Sequence, residues 1–196
     1  MKYSGEGYQY LREALEHKFK QPLDELARSS NLGPWGMKNT RFYWDHSMNE
    51  SLYAGSHDKD GHALELEKWY EPNGANLLLI TVGDYSRFAA HVLQGGDLSK
   101  DVYAEMITPH APRGTVPDAT KNNFGLCWRV IRNLSNGEFA LVHTGRNPGI
   151  TAIVVLLPQS QRGVVVLTNG ENGEDVYKKV IGESLDLGTE IIGRMQ

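Results

Sequence analysis

The sequence predicts an α+β fold, with a helical and loop-rich portion over residues 1–120 followed by an antiparallel sheet and a C-terminal covering helix over residues 121–196. Three observations carry this. Apolar residues recur at helical spacing near the amino end, the period shortens to two after residue 124 around an Asn-Gly turn, and two runs apolar on both faces precede a last amphipathic stretch. No repeat or low-complexity linker divides the 196 residues, so they read as one unit. At this length folding buries roughly 70% of the surface that the unfolded chain exposes.

The elements follow in order. Ser4 is a predicted N-cap for a helix that turns Tyr8, Leu11, Leu15 and Phe19 to one side. Pro22 opens a second helix carrying Leu23, Leu26 and Ala27 inward, and Gly33-Pro34 stops it. Residues 35–76 are irregular, with a short hairpin over 56–66 turned at Asp60-Gly61. Thr81-Val82-Gly83-Asp84 resembles a capping box and starts a helix through Tyr85, Phe88, Ala89, Val92 and Leu93, closed by Gly95-Gly96. Ser99 caps another helix to about Ile107, ahead of a Pro-rich loop over 109–117. Residues 124–131 alternate as a strand, Asn136-Gly137 turns a hairpin, and 139–143 return. Residues 150–157 and 163–168 are apolar on both faces, as in strands covered from both sides. One final helix over 174–195 offers Val176, Val180, Ile181, Leu185, Leu187, Ile191 and Ile192 to the sheet.

Composition excludes several classes. A net charge of -4 with no Lys/Arg cluster argues against nucleic acid as a partner. No apolar run approaches the roughly 18 residues that span a bilayer, so no membrane partner is expected, and no signal-peptide pattern opens the chain. The compartment is left unassigned. The single cysteine, Cys127, excludes an internal disulfide and reads as a buried small apolar residue. His46, His57 and His62 lack metal-ligand spacing, and no cofactor or metal is expected. Ser56, Asp58, Asp60, Gly61 and Glu67 match part of a calcium-loop spacing, but position one lacks its carboxylate, and a solvated hairpin tip is the preferred reading.

Two short pieces stand out as candidate chemistry. Tyr3-Ser4-Gly5 sits at a helix mouth, and His143-Thr144-Gly145 ends a strand. Taken in order, 3–11, Pro34-Trp35-Gly36-Met37-Lys38-Asn39-Thr40, Asp84-Tyr85-Ser86-Arg87-Phe88 with Gly95-Gly96, Phe124-Gly125-Leu126-Cys127-Trp128, His143-Thr144-Gly145 and the 163–170 run resemble the serine beta-lactamase-related family. That family includes class C beta-lactamases, DD-peptidases and serine esterases, and the resemblance covers essentially the whole chain.

The resemblance implies a beta-lactamase/transpeptidase-like fold and a serine hydrolase built on three boxes: Ser-x-x-Lys, Tyr-x-Asn or a variant, and Lys-Thr-Gly or His-Thr-Gly. Tyr3 matches the second box, with Gly5 in place of Asn. His143, Thr144 and Gly145 match the third. By resemblance Tyr3 is the catalytic residue that assists proton transfer, and His143, Thr144 and Gly145 bind substrate. A serine hydroxyl is a poor nucleophile until a base takes its proton, and strand N–H groups stabilise an oxyanion.

The first box has no counterpart at a helix start. The only literal Ser-x-x-Lys is Ser56-His57-Asp58-Lys59, in turn chemistry, whereas the box needs Ser and Lys on one helical face. The expectation is therefore the carboxy-terminal part of such a hydrolase, an incomplete domain without the nucleophile. It would be inactive alone and act on a small-molecule or peptide substrate when complemented. The alternative is a non-catalytic binding module derived from the fold. In the family the last strand, here 164–168, pairs with an amino-terminal strand. An apolar edge at this position predicts self-association or a partner strand.

Overall fold

The computed structural model describes residues 3–112 and 123–195, so residues 113–117 of the predicted Pro-rich loop and the following 118–122 lie outside the described part. Six strands form one antiparallel sheet in simple sequence order: β1 (Ala111–Pro112), β2 (Asn123–Phe124), β3 (Arg129–Ile131), β4 (Ala140–Asn147), β5 (Ile150–Leu157) and β6 (Arg162–Thr168). Helices α1 (Gly5–Phe19), α2 (Leu23–Ala27), α3 (Val82–Leu93) and α4 (Lys100–Met106) precede the sheet. Helices α5 (Gly173–Ser184) and α6 (Gly188–Met195) close the chain. The α+β order read from the sequence is therefore the observed one.

Local chemistry places the helix starts. Ser4 accepts the N–H of Gly7 at 3.1 Å, Thr81 that of Asp84 at 3.2 Å, and Ser99 that of Val102 at 3.3 Å, so three of the expected caps are made by side chains. Asp84 does not complete a reciprocal box. Its buried carboxylate accepts the Asn39 N–H at 2.7 Å, the Thr40 hydroxyl at 3.0 Å and the Arg87 guanidinium at 3.0 Å. This ties the 34–40 segment onto α3. After α2 the backbone widens into a π-turn, Arg28–Leu32, before Gly33.

Pairing runs Leu141↔Leu156 to Asn147↔Ile150 between β4 and β5, and Thr151↔Thr168 to Leu157↔Arg162 between β5 and β6. Because side chains alternate across a strand, the sheet has two cores. On one face Ala140, Val142, Ile153, Val155 and Leu157 pack against Tyr177, Ile181, Leu185, Leu187 and Ile191 of the α5–α6 region. On the other, Leu141, Val154 and Leu156 pack with Trp128, Val130 and the α3 residues Ala89 and Val92. A third cluster, Leu32, Trp35 and Met37, joins the helical portion through Phe88.

Five expectations are corrected. The 124–131 stretch is not one strand but a tight hairpin. Gly125 N–H bonds to the Trp128 carbonyl at 2.8 Å, and Cys127 has φ 65°, which reverses the chain between β2 and β3. Cys127 is consequently exposed at the turn rather than buried. His143-Thr144-Gly145 does not end its strand, since β4 continues to Asn147. The final helix is two, broken at 185–187, where a Cβ on Gly188 would lie 2.0 Å from the Ile181 carbonyl oxygen. Val176 points to solvent at 52% exposure.

The amphipathic face of α1 is only partly covered: no α1 residue is buried, and Leu11 and Phe19 are each 49% exposed. The strand β6 ends the sheet, apolar and with its outer edge unpaired among the described residues.

Candidate active site

The site is built around the second half of β4. Strand β3 pairs only with Ala140, Leu141 and Val142, whereas β5 accompanies β4 through Asn147. Beyond Val142, β4 therefore has an unpaired side among the described residues, where alternate residues direct N–H and C=O groups outward. His143, Thr144, Gly145 and Arg146 are all exposed. Four exposed residues in a row on a strand of alternating faces mean that both faces are open here.

The pleat divides the three motif residues. Val142 belongs to the α5 side, so Thr144 shares that side with Ala140 and Val142. His143 and Gly145 fall on the opposite side, with Leu141 and Trp128. The Trp128 indole meets the His143 ring edge-on at 6.2 Å and 77°, and it lies near-parallel to Phe88 at 6.5 Å. The protein mass around His143 lowers its pKa from the ordinary 6.5 by desolvation, so the ring is neutral at neutral pH while it keeps an open face. A Cβ on Gly145 would make only an ordinary 4.0 Å contact with Ala152, so this glycine leaves space beside His143 that packing does not demand.

Tyr3 precedes α1 and is 65% exposed. Its ring lies 5.9 Å from that of Tyr8, and its hydroxyl donates to the Ala75 carbonyl at 3.3 Å. Burial, together with the neighbouring Cys127 and Tyr3, pushes the Tyr8 phenol up from its ordinary value of 10.0. Among the described residues no hydrogen bond or ring contact joins Tyr3 directly to His143, Thr144 or Gly145. The Ala75 carbonyl had no sequence signal of its own, whereas Tyr8 had one in the 3–11 landmark and Trp128 in the Gly-Leu-Cys-Trp landmark.

Ser56 and Lys59 lie elsewhere in the site's surroundings. They form part of a hairpin in which the Leu64 N–H bonds to the Ser56 carbonyl at 2.8 Å and the Gly61 N–H to Asp58 at 3.1 Å. The hairpin packs under the β4–β5 turn, where Gly149 has φ +69° and a Cβ would meet Ser56 at 2.7 Å. Ser56 and Lys59 thus do not share a helical face. At the tip, Asp58, Asp60 and His62 bring one ligand atom each within 4.8 Å of one another. Asp58 Oδ1 accepts the N–H groups of His62 at 2.9 Å and Asp60 at 2.8 Å, which holds its carboxyl below the ordinary value, while Oδ2 lies 3.2 Å from His62 Nδ1.

The Beta-lactamase family profile matches residues 1–183, and the chain belongs to that family. Several solved structures share the fold. A penicillin-binding protein from Bacillus halodurans superposes with a TM-score of 0.75 at 16% identity, over 92% of this chain and 55% of that one. The D-amino acid amidase of Ochrobactrum anthropi SV3 in complex with D-phenylalanine gives 0.74 at 22% identity, over 94% and 62%. The octameric penicillin-binding protein homologue of Pyrococcus abyssi gives 0.73 at 21% identity, over 86% and 38%. A class C beta-lactamase gives 0.66 at 16% identity, over 86% and 53%. The chain therefore spans between 38% and 62% of the lengths of these structures. A search of curated proteins gave no match. Among the described residues no helix is long and apolar enough to cross a membrane.

Proposed function

We propose that this chain is the carboxy-terminal portion of a serine hydrolase of the beta-lactamase, DD-peptidase or esterase type, supplying Tyr3 and the His143-Thr144-Gly145 strand but not the nucleophile. The observation that carries this is the uncovered half of β4. Its outward backbone groups, the bare Gly145 and the neutral His143 form a substrate-binding strand, while the only Ser-x-x-Lys is folded as a hairpin. The half-covered face of α1 and the free edge of β6 fit a domain whose remaining part comes from elsewhere.

In this reading the complementing segment brings a serine and a lysine on one helical face. Tyr3 shuttles the proton between that pair and the leaving group, and the outward N–H groups of β4 hold the carbonyl oxygen as charge develops. The substrate is a small molecule or peptide bearing an acyl group that the serine can attack. Incubating the isolated chain with a fluorescent penicillin tests the proposal: no covalent label is expected, and a label on any of its own residues overturns it.

The same reading makes β6 an acceptor edge for another strand. Beside it runs a groove walled by Ser86, Ala89, Ala90 and Leu93 of α3 and by Gly163 and Val165. A second copy occupies this edge when the complementing segment is absent. Light scattering should give a mass above 21.9 kDa for the isolated chain. A clean monomer at millimolar concentration contradicts this.

A further inference from the structure

The Tyr3 hydroxyl does not hang free: its acceptor, the Ala75 carbonyl, belongs to a turn fixed by three side-chain or steric devices. Asn73 Oδ1 accepts the N–H groups of Ala75 at 2.8 Å and Asn76 at 3.1 Å, which closes residues 73–76 into an Asx turn. Gln9 Oε1, one turn into α1, accepts the Gly74 N–H at 2.8 Å and so ties that turn to the helix that Tyr3 precedes. Gly74 lies so close to α1 that a Cβ there would stand 2.8 Å from the Tyr8 carbonyl oxygen and 3.3 Å from the Arg12 Cβ. Gly5, from the other side, would place its Cβ 3.7 Å from that of Ala75.

We propose that Gln9 and Asn73 are positioning residues for Tyr3, acting by holding the Ala75 carbonyl as the acceptor that aims the phenol. This rests on the reading of Tyr3 as the catalytic phenol and adds to it the groups that orient the ring. A phenol with one soft torsion on an exposed flank samples several directions, and a fixed acceptor selects one of them. The acceptor is rigid because the N–H groups on either side of it, those of Ala75 and Asn76, are both bonded to Asn73, and the Gly74 N–H just before them is bonded to Gln9. The glycine at 74 is required by the close approach to α1 and not by an unusual φ.

The test is the ¹³Cζ resonance of Tyr3 in the isolated chain labelled at tyrosine, assigned with Tyr3→Phe. That nucleus reports whether the hydroxyl donates to a fixed acceptor. In Asn73→Ala the Tyr3 resonance should move toward that of the exposed Tyr10, while Asn73→Asp, which retains the accepting oxygen, should restore it. Gln9→Leu should give the same displacement and Gln9→Glu the same rescue, which keeps the test available if one site fails to fold. The resonances of Tyr85 and Tyr177, packed in the two cores, serve as the control for a general structural effect. An unmoved Tyr3 resonance in a folded Asn73→Ala and Gln9→Leu pair overturns the proposal, as does failure of both conservative variants to rescue. The hydrolase reading is decided separately by covalent labelling, so either claim can fail without the other.

Discussion

Asp84→Ala is the sharpest perturbation of the scaffold behind the site. The carboxylate is fully buried and serves three donors: the Asn39 N–H, the Thr40 hydroxyl and Arg87. Thr40 is itself fully buried, so its hydroxyl loses its partner with no water to replace it. An orphaned buried donor costs about 1–3 kcal/mol. The Asn39 N–H is only partly buried and contributes toward the lower end of that range. The Arg87 side chain is 54% exposed, and its half of the ion pair is screened by solvent, worth about 0–1 kcal/mol. Together these predict a loss of about 3 kcal/mol. With an m-value of about 2.5 kcal/mol/M, the urea midpoint should fall by about 1.2 M at unchanged m. Asp84→Asn keeps one accepting oxygen and should fall by about half as much. A midpoint shift under about 0.4 M for Asp84→Ala would refute the view that this carboxylate anchors the 34–40 segment to α3.

Two further expectations concern the sheet. Gly145→Ala should leave stability within about 0.5 kcal/mol, because its Cβ meets only Ala152 at 4.0 Å, yet weaken acylation in the complemented enzyme by narrowing the space beside His143. Gly173→Ala should instead destabilise by several kcal/mol, since its Cβ would fall 1.8 Å from Thr168 Oγ1, well beyond an ordinary overpacking cost of about 1–3 kcal/mol. Chemical unfolding of the two variants side by side checks both. The third expectation is a pH effect. His143 is held neutral below its ordinary 6.5, so just below that pH the unfolded chain binds a proton that the folded chain refuses. Its contribution to stability is full above about pH 6.5 and lost as pH falls toward the depressed folded value. An NMR titration of the His143 ring should show a midpoint below 6.5, and a midpoint at or above 6.5 contradicts the desolvation argument.

The elements that could be read from the sequence were those whose cause is local. Ser4, Thr81 and Ser99 make their caps within three residues of themselves, and Asn136-Gly137 carries its own turn, with Gly137 at φ 86°. What escaped depends on distant packing. Residues 124–131 alternate like a strand, but a Gly125 Cβ would lie 2.2 Å from the Met106 carbonyl oxygen, and that approach, with the left-handed Cys127, bends them into a hairpin. The break between α5 and α6 was hidden because Leu185 and Leu187 are both buried, so the apolar rhythm continues through it. The half-exposed face of α1 was invisible for the opposite reason, because its periodicity is that of a covered helix. The motif residues of the site were legible as residue types. Which face of β4 each occupies was not, since that follows from the register with β5, and the acceptor of Tyr3 is a backbone carbonyl 72 positions away.

The most direct measurement is intact-mass analysis after a fluorophosphonate, with and without a co-expressed amino-terminal segment carrying Ser-x-x-Lys at a helix start. The account predicts no adduct on the isolated chain, one adduct on the serine of the added segment in the complex, and its loss with Tyr3→Phe in this chain. An adduct on the isolated chain, at Ser56 or elsewhere, contradicts it.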